Sequence, residues 1–308
     1  MSTETLRVGD VAVELPRADK PLFPDGITKA ELAEYYRFVA ARMLPYVRDR
    51  PLAMERYPDG IDGERVFQKH TPDYFPEWIT RVTVPKQGDG TVSHVVCDQE
   101  ATLVYLAAQA SLTPHVFLSR RDRLDHPDQM VFDLDPPDAG RFDRVRECAL
   151  RLRAVLEDEL GLVSFVKTSG STGLHVHVPL DRRHSFDPVR DFARAVASLL
   201  VARAPDRYTI EHRLDRRGDR VYIDVLRNAY AQTVVAPYAL RARPGAPAAR
   251  PLSWERVADP ELRPDQFTLR TVAEWFGEDP WSGMARHAHQ LDQAGERLAA
   301  LRRRPAGR

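Results

Sequence analysis

Residues 129–140, QMVFDLDPPDAG, set two carboxylates two positions apart in an apolar run that a proline pair brings to an end. Alternate residues of a strand share a face, so Asp133 and Asp135 point one way while Phe132 and Leu134 point the other, into a core. Two carboxylates sharing a small volume repel, and the proton affinity of one rises. A divalent cation between them removes that cost, and carboxylate oxygens suit Mg²⁺ or Mn²⁺. The spacing alone fits a solvated strand end, with the aspartates capping a turn, equally well. In DRVYIDVLRN, Val221, Ile223 and Val225 line one face and leave Asp224 with Tyr222 on the other. An acid in such a β-branched run is costly to bury unpaired. A third carboxylate beside the first two would complete the ligand set of a two-metal phosphoryl-transfer site.

The stretch KTSGSTGLHVHVPL, residues 167–180, is a Ser/Gly-rich turn between two strands. Such a turn either simply connects its strands or presents backbone N–H groups to phosphates, with Ser169 and Ser171 as donors and His175 as a cation or donor. His175 and His177 share a face, but without a cysteine or third histidine nearby zinc is disfavoured.

The elements that must carry these groups alternate along the chain. Thr28, followed three residues later by Glu31, opens a helix with apolar positions Leu32, Tyr36, Val39 and Met43. Short β-rich runs follow: PLAMERY, RVFQKH, WITRVTVP and GTVSHVVCD, separated by PDGIDGE and KQGDG turns. Then come a helix near 99–111, strands PHVFLS and MVFDLD, a helix over 141–160, strands VSFVKT and LHVHVPL, a helix over about 187–204, and strands RVYIDVL and QTVVAPY. The pattern is α/β with mixed sheets. Residues 241–254 read as an irregular crossing segment, and a helical tail follows from about 284 to a basic, frayed end, RRRPAGR. No apolar run of about 18 residues could cross a bilayer, and the opening MSTETLRVGD lacks a signal peptide's basic start and apolar stretch, so a cytoplasmic protein is expected. Formal net charge is zero, which disfavours a protein that merely coats nucleic acid and leaves room for a local basic groove. Cys97 and Cys148 lack metal-ligand spacing and read as free thiols.

In this order, a DxD strand, an SGxxGxHV turn and an acid in an apolar strand resemble the catalytic core of archaeo-eukaryotic primases. More closely, the chain resembles the polymerase domain of bacterial ligase D, used in nonhomologous end joining, in a stand-alone form. GITKAELAEYY, RPLAMERYPDGIDGERVFQKH, HVFLSR, MVFDLDP, FVKTSGSTGLHVHVPL and VYIDVLRNAYAQTVVAPYALRARPGAP carry the resemblance, in order, over about residues 15–255.

The resemblance implies an archaeo-eukaryotic primase-like fold, mixed β-sheets flanked by helices, with a polymerase domain over 1–270 and a C-terminal helical extension of it over 271–308. It implies that Asp133, Asp135 and Asp224 bind two Mn²⁺ or Mg²⁺ ions and catalyse, with no organic cofactor. His115, Ser169, Ser171, His175 and Arg241 would contact the nucleoside triphosphate. Lys20 and Lys29 would hold a downstream 5′-phosphate, Phe67 would stack on the template, and Lys69 and Arg217 would meet DNA, Arg217 from the loop HRLDRRGDR near the primer terminus. The implied reaction adds nucleotides, ribonucleotides in preference, to 3′-hydroxyls at gaps or broken ends, in a cytoplasmic, nucleoid-associated setting with no membrane. Ku and a separate DNA ligase are the implied partners, since no ligase or nuclease segment is evident. The alternatives are a primer-independent primase and a catalytically inactive module that bridges DNA ends. Three positions depart from the family pattern: Val66 where relatives often carry a second phenylalanine beside Phe67, Thr172 where a lysine is frequent, and Phe117 where tryptophan is common.

Overall fold

Gly9, with φ of 57°, turns the first hairpin, β1 (Thr3–Val8) against β2 (Val11–Pro16). The computed structural model describes residues 3–303, so the last five residues of the basic end lie outside the described residues. Helix α1 (Lys29–Val47) starts on the expected reciprocal cap: Glu31 N donates to Thr28 Oγ1 at 3.2 Å and Thr28 N donates to Glu31 Oε2 at 2.8 Å. Leu32, Tyr36, Val39 and Met43 are all buried along it.

Strands β3 (Pro51–Arg56), β4 (Val66–Gln68), β5 (Arg81–Pro85) and β6 (Thr91–Val96), helix α2 (Glu100–Ala108) and β7 (Ser111–Phe117) follow. Then come β8 (Gln129–Asp135), α3 (Phe142–Ala154), which runs into a π-helical turn over Val155–Glu159, β9 (Phe165–Thr168), β10 (Leu174–Pro179) and α4 (Phe186–Arg203). Beyond these lie β11 (Tyr208–Thr209), α5 (Leu214–Arg217), β12 (Val221–Asp224), β13 (Thr233–Val235), β14 (Pro251–Leu252), α6 (Trp254–Ala258), α7 (Val272–Trp275) and α8 (Asp292–Arg303).

The chain divides into two units. The first runs through Asp122 and takes back Thr233–Arg250 and Asp265–Asp279; the second holds Arg123–Gln232, Pro251–Pro264 and the chain from Pro280 on. In the first unit a six-stranded antiparallel sheet is ordered β13-β7-β3-β6-β5, with β4 joining the free edge at the end of β3. The second unit's sheet is ordered β11-β12-β8-β10-β9-β14, antiparallel except for the parallel pair β11–β12, which makes the architecture mixed α/β as expected. Helices α3 and α4 pack on β8, α3 also on β10 and β12. Phe132 and Leu134 are fully buried, as are Val145, Cys148, Ala149 and Leu152 of α3. The apolar half of the DxD strand is thus spent on the core, and its acids are left on the opposite face. Among the described residues no helix is long and apolar enough to cross a membrane, and Cys97 and Cys148 are buried free thiols.

Because the Thr28 hydroxyl accepts the Glu31 N–H and donates to Glu31 Oε2, Thr28→Ala should destabilise the first unit by about 1 kcal/mol, measured as a lowered urea midpoint.

Candidate active site

Strand register builds the second unit's polar row. β12 runs antiparallel to β8 with Asp224 opposite Asp133 and Tyr222 opposite Asp135. On the other edge of β8, β10 sets His175 opposite Asp133, and β9 in turn sets Lys167 opposite His175. Directly opposed residues share a sheet face, so Asp224, Asp133, His175 and Lys167 form one row. Asp135 and Tyr222 form the next.

The two acids and the histidine of the row are restrained. His175 Nε2 lies 3.2 Å from Asp133 Oδ1. Asp224 Oδ1 accepts the Leu226 N–H at 2.7 Å, and Arg227 Nε lies 3.6 Å from Asp224 Oδ2. The turn after Asp224 is tied down by the buried Asn228, whose side chain donates to Val131 O at 2.7 Å and accepts from Val131 N at 2.8 Å. One side chain thereby takes the place of the strand partner that β8 lacks beyond the end of β12. Arg217 stacks its guanidinium 3.7 Å from the centre of the Tyr222 ring and donates to Glu211 O and His212 O.

The electrostatics follow from that crowding. Burial, then the Asp133 and Asp224 charges, push the Asp135 carboxyl well above its ordinary range, against the pull of Arg217 and Arg227. Burial also raises Asp224. Asp133 moves the other way: burial raises it, but His175, with Arg227 and Lys167, outweighs burial and holds it low. Three carboxylates crowded so that two of them have raised proton affinity are a hard-oxygen donor set that suits a divalent cation. Among the described residues, no group of three His, Cys, Asp or Glu side chains is already converged as an ion cage. Asp133 is turned onto His175 and Asp224 onto the Leu226 N–H instead.

The Ser/Gly turn closes against β8. Ser169 Oγ accepts from Ser171 N at 3.2 Å and Gly173 N at 3.0 Å, and Ser169 N donates to Gly173 O at 2.9 Å. Gly170 takes φ of 66°. A Cβ on Gly173 would stand 2.1 Å from Leu134 O, so only glycine lets this backbone come so close to the acid strand. Ser169 therefore shapes the turn through its side-chain oxygen, a use the sequence did not suggest, and Ser171 sits half-buried in it.

The first unit holds the other candidates. His115 Nε2 lies 2.9 Å from Glu55 Oε2, and its ring meets the half-exposed Phe67 edge-on, centroids 5.3 Å apart. Arg241 follows a backbone fixed by buried hydroxyls: Leu240 N donates to Tyr36 Oη at 3.1 Å and Leu240 O accepts from Thr113 Oγ1 at 2.6 Å. The bridge Pro21–Thr28 and the Lys29 N to Lys20 O bond bring Lys20 and Lys29 together. Lys20 Nζ donates to Pro58 O and pairs with Asp59 at 2.7 Å; the buried Lys29 donates to Pro16 O, and burial, then Arg17 and Lys20, lower its proton affinity. Lys69 is exposed one residue past β4. Glu55, Lys167, Arg227 and Asn228 escaped the sequence reading. The acid of PLAMERY, in an otherwise apolar strand, was the one visible signal among them.

Comparison with known proteins bears on these residues. The profile of the LigD primase-polymerase domain matches residues 28–281. The chain is 36% identical over 287 residues to the multifunctional non-homologous end joining protein LigD of Pseudomonas aeruginosa, covering 91% of this chain and 33% of that protein. It is 32% identical over 249 residues to the bifunctional non-homologous end joining protein LigD of Bacillus subtilis, covering 80% of this chain and 39% of that one. The chain thus spans about a third of the length of the curated relatives it matches. The structure of the polymerase domain from Mycobacterium tuberculosis ligase D in complex with DNA superposes with a TM-score of 0.81 at 33% identity, covering 89% of this chain and 98% of that domain.

Two outcomes test the site's physics. Gly173→Ala should cost about 2–3 kcal/mol through its clash with Leu134 O, seen as a fall in melting temperature. In EDTA, the raised Asp135 carboxyl contributes stability below its ordinary value of 3.8 and loses it as pH rises through the elevated folded value. Asp135→Asn should therefore melt progressively higher than wild type as pH is raised from acid to mildly alkaline; a constant difference across the series would contradict the crowding.

Proposed function

The chain belongs to the ligase D primase-polymerase family, and on that footing we propose that it is a nucleotidyltransferase extending 3′-hydroxyl ends at gaps or breaks in DNA, in nonhomologous end joining. The observation that carries the reading is the register pairing Asp224 with Asp133, with Asp135 two residues on, within the stretch that matches the family.

In this reading Asp133, Asp135 and Asp224 hold the divalent ions, Mn²⁺ or Mg²⁺. Ions held there would supply Lewis-acid activation of the attacking oxygen and neutralise charge on the departing phosphates. His175 restrains Asp133 and faces the triphosphate, to which Ser169 and Ser171 of the 169–173 turn are assigned as well. His115 and Arg241 are assigned to the triphosphate as well. Lys20 and Lys29, two cations held adjacent, suit a 5′-phosphate. Phe67, half-exposed beside Arg65, suits base stacking, with Lys69 on the same edge. Arg217, stacked on the tyrosine opposite Asp135, is assigned to the primer terminus. Ribonucleotides are the proposed preferred substrates, and Ku and a DNA ligase activity the proposed partners.

The test is extension of a labelled primer on gapped DNA, with and without a downstream 5′-phosphate, with Mn²⁺ and either ribo- or deoxynucleotides. Wild type should extend, more strongly with the 5′-phosphate, while Asp133→Ala, Asp135→Ala and Asp224→Ala fall below detection yet still bind DNA. Near wild-type extension by Asp135→Ala would sink the mechanism, and no extension by any protein would leave a DNA-binding module.

A further inference from the structure

His115 is the outer member of a buried network centred on Glu55. From the adjacent strand β3, Glu55 takes His115 Nε2 at 2.9 Å on Oε2, and on Oε1 it accepts Tyr57 Oη at 2.8 Å and Arg65 Nε at 2.9 Å. The Glu55 side chain is only 8% exposed and that of His115 13%. Burying a carboxylate without partners costs several kcal/mol, so three donors converging on this one are a built arrangement rather than a surface ion pair. The register between β3 and β7 shifts between Glu55 and Arg56; such a bulge re-aims the side chains beside it. Phe67 lies opposite Glu55 on β4 and edge-on to the His115 ring, and the Arg65 guanidinium sits 5.7 Å from the Phe67 centroid.

From this geometry we infer that Glu55 is a positioning residue that fixes the His115 ring through Nε2 and keeps it an imidazolium at neutral pH. A cation, rather than a neutral ring, is then offered to an anionic ligand, which is the triphosphate if the reading proposed above holds. The groups around the ring decide its charge. Glu55 and Tyr57 come from β3 and its end, Arg65 and Phe67 from the β4 segment, and uncharged Ala53 and Val235 lie opposite His115 on β3 and β13. Arg241 lies within electrostatic reach of Tyr57. The two arginines oppose protonation of the ring. The Arg65 side chain, however, is 56% exposed, so solvent screens it, whereas the Glu55–His115 contact is nearly dry and its Coulomb attraction is correspondingly strong. The carboxylate agrees: burial pushes Glu55 up, yet the His115 bond and charge, with Tyr57 and Arg65, hold it at about 2.

The test reads the ring directly, by NMR titration of the His115 imidazole, assigned with His115→Gln. In wild type it should titrate at about 7.5 or above, at least a unit over the ordinary histidine value of about 6.5, and in Glu55→Gln about one unit lower, near that ordinary value. Tyr57→Phe, which keeps the carboxylate charge, should move it far less than Glu55→Gln. Equal midpoints in wild type and Glu55→Gln would overturn the inference. Should Glu55→Gln fail to fold, a wild-type midpoint below about 7, against an ordinary value of about 6.5, would overturn it alone. ATP affinity supplies the second arm: Glu55→Gln should weaken binding about fivefold or more at pH 8 and little at pH 6, where the ring is protonated in either protein. The same loss at both pH values would mean a merely structural residue and would also overturn the inference. Unchanged ATP affinity in His115→Gln, together with a lowered His115 midpoint in Glu55→Gln, would remove His115 from the triphosphate while supporting Glu55's control of the ring.

Discussion

Like-charge crowding on one sheet face is the constraint that organises the second unit. The antiparallel register of β8 and β12 forces Asp224 against Asp133, and the two-residue period brings Asp135 to the same face. Two unit charges 4 Å apart repel by about 4 kcal/mol at a protein-like dielectric, more than a helix cap or a single neutral hydrogen bond returns. The surroundings answer with basic groups. His175 and Lys167 continue the row, Arg227 closes on Asp224, and Arg217 lies on the tyrosine beside Asp135. Even so, two of the three acids remain with raised proton affinity, a standing strain of the kind that functional sites carry and cores do not.

Backbone, rather than side chains, does much of the positioning. The 169–173 turn reaches β8 because Gly173 has no Cβ to strike Leu134 O, and the Ser169 hydroxyl gathers two of the turn's own N–H groups. Asn228 completes the edge of β8 where β12 has ended. Arg241 inherits its place from Leu240, whose N–H and C=O are both claimed by buried hydroxyls. In each case a polar atom that burial would otherwise leave unpaired also fixes a neighbour.

What the sequence made legible was local. The Thr28–Glu31 cap, the helical spacing of α1 and the alternation of β8 depend on residues within one or two turns of each other, and each appears as expected. Partnerships set by pairing over long separations were hidden: Glu55 meets His115 sixty residues on, and Val131 meets Asn228 ninety-seven residues on. Nothing local marks Lys167, because only register shows that it ends a row of acids and histidine. Strands as short as β11 and β14 have no periodicity to detect. The ribbon of alternating elements gave no sign that the chain would leave its first unit at Asp122 and return to it twice.

That returning path has a consequence for how the molecule is made. The edge strand β13 and the segment through Asp279 belong to the first unit, although the entire β8-to-β12 sheet lies between them and β7 along the chain. As the ribosome delivers the chain from its N-terminus, the first unit waits with the β7 edge unpaired until more than a hundred further residues have emerged. The second unit waits in turn for β14 and α8. Neither half is built from one continuous stretch of chain, and a nascent chain stalled between β7 and β13 exposes an open sheet edge to whatever else is in reach.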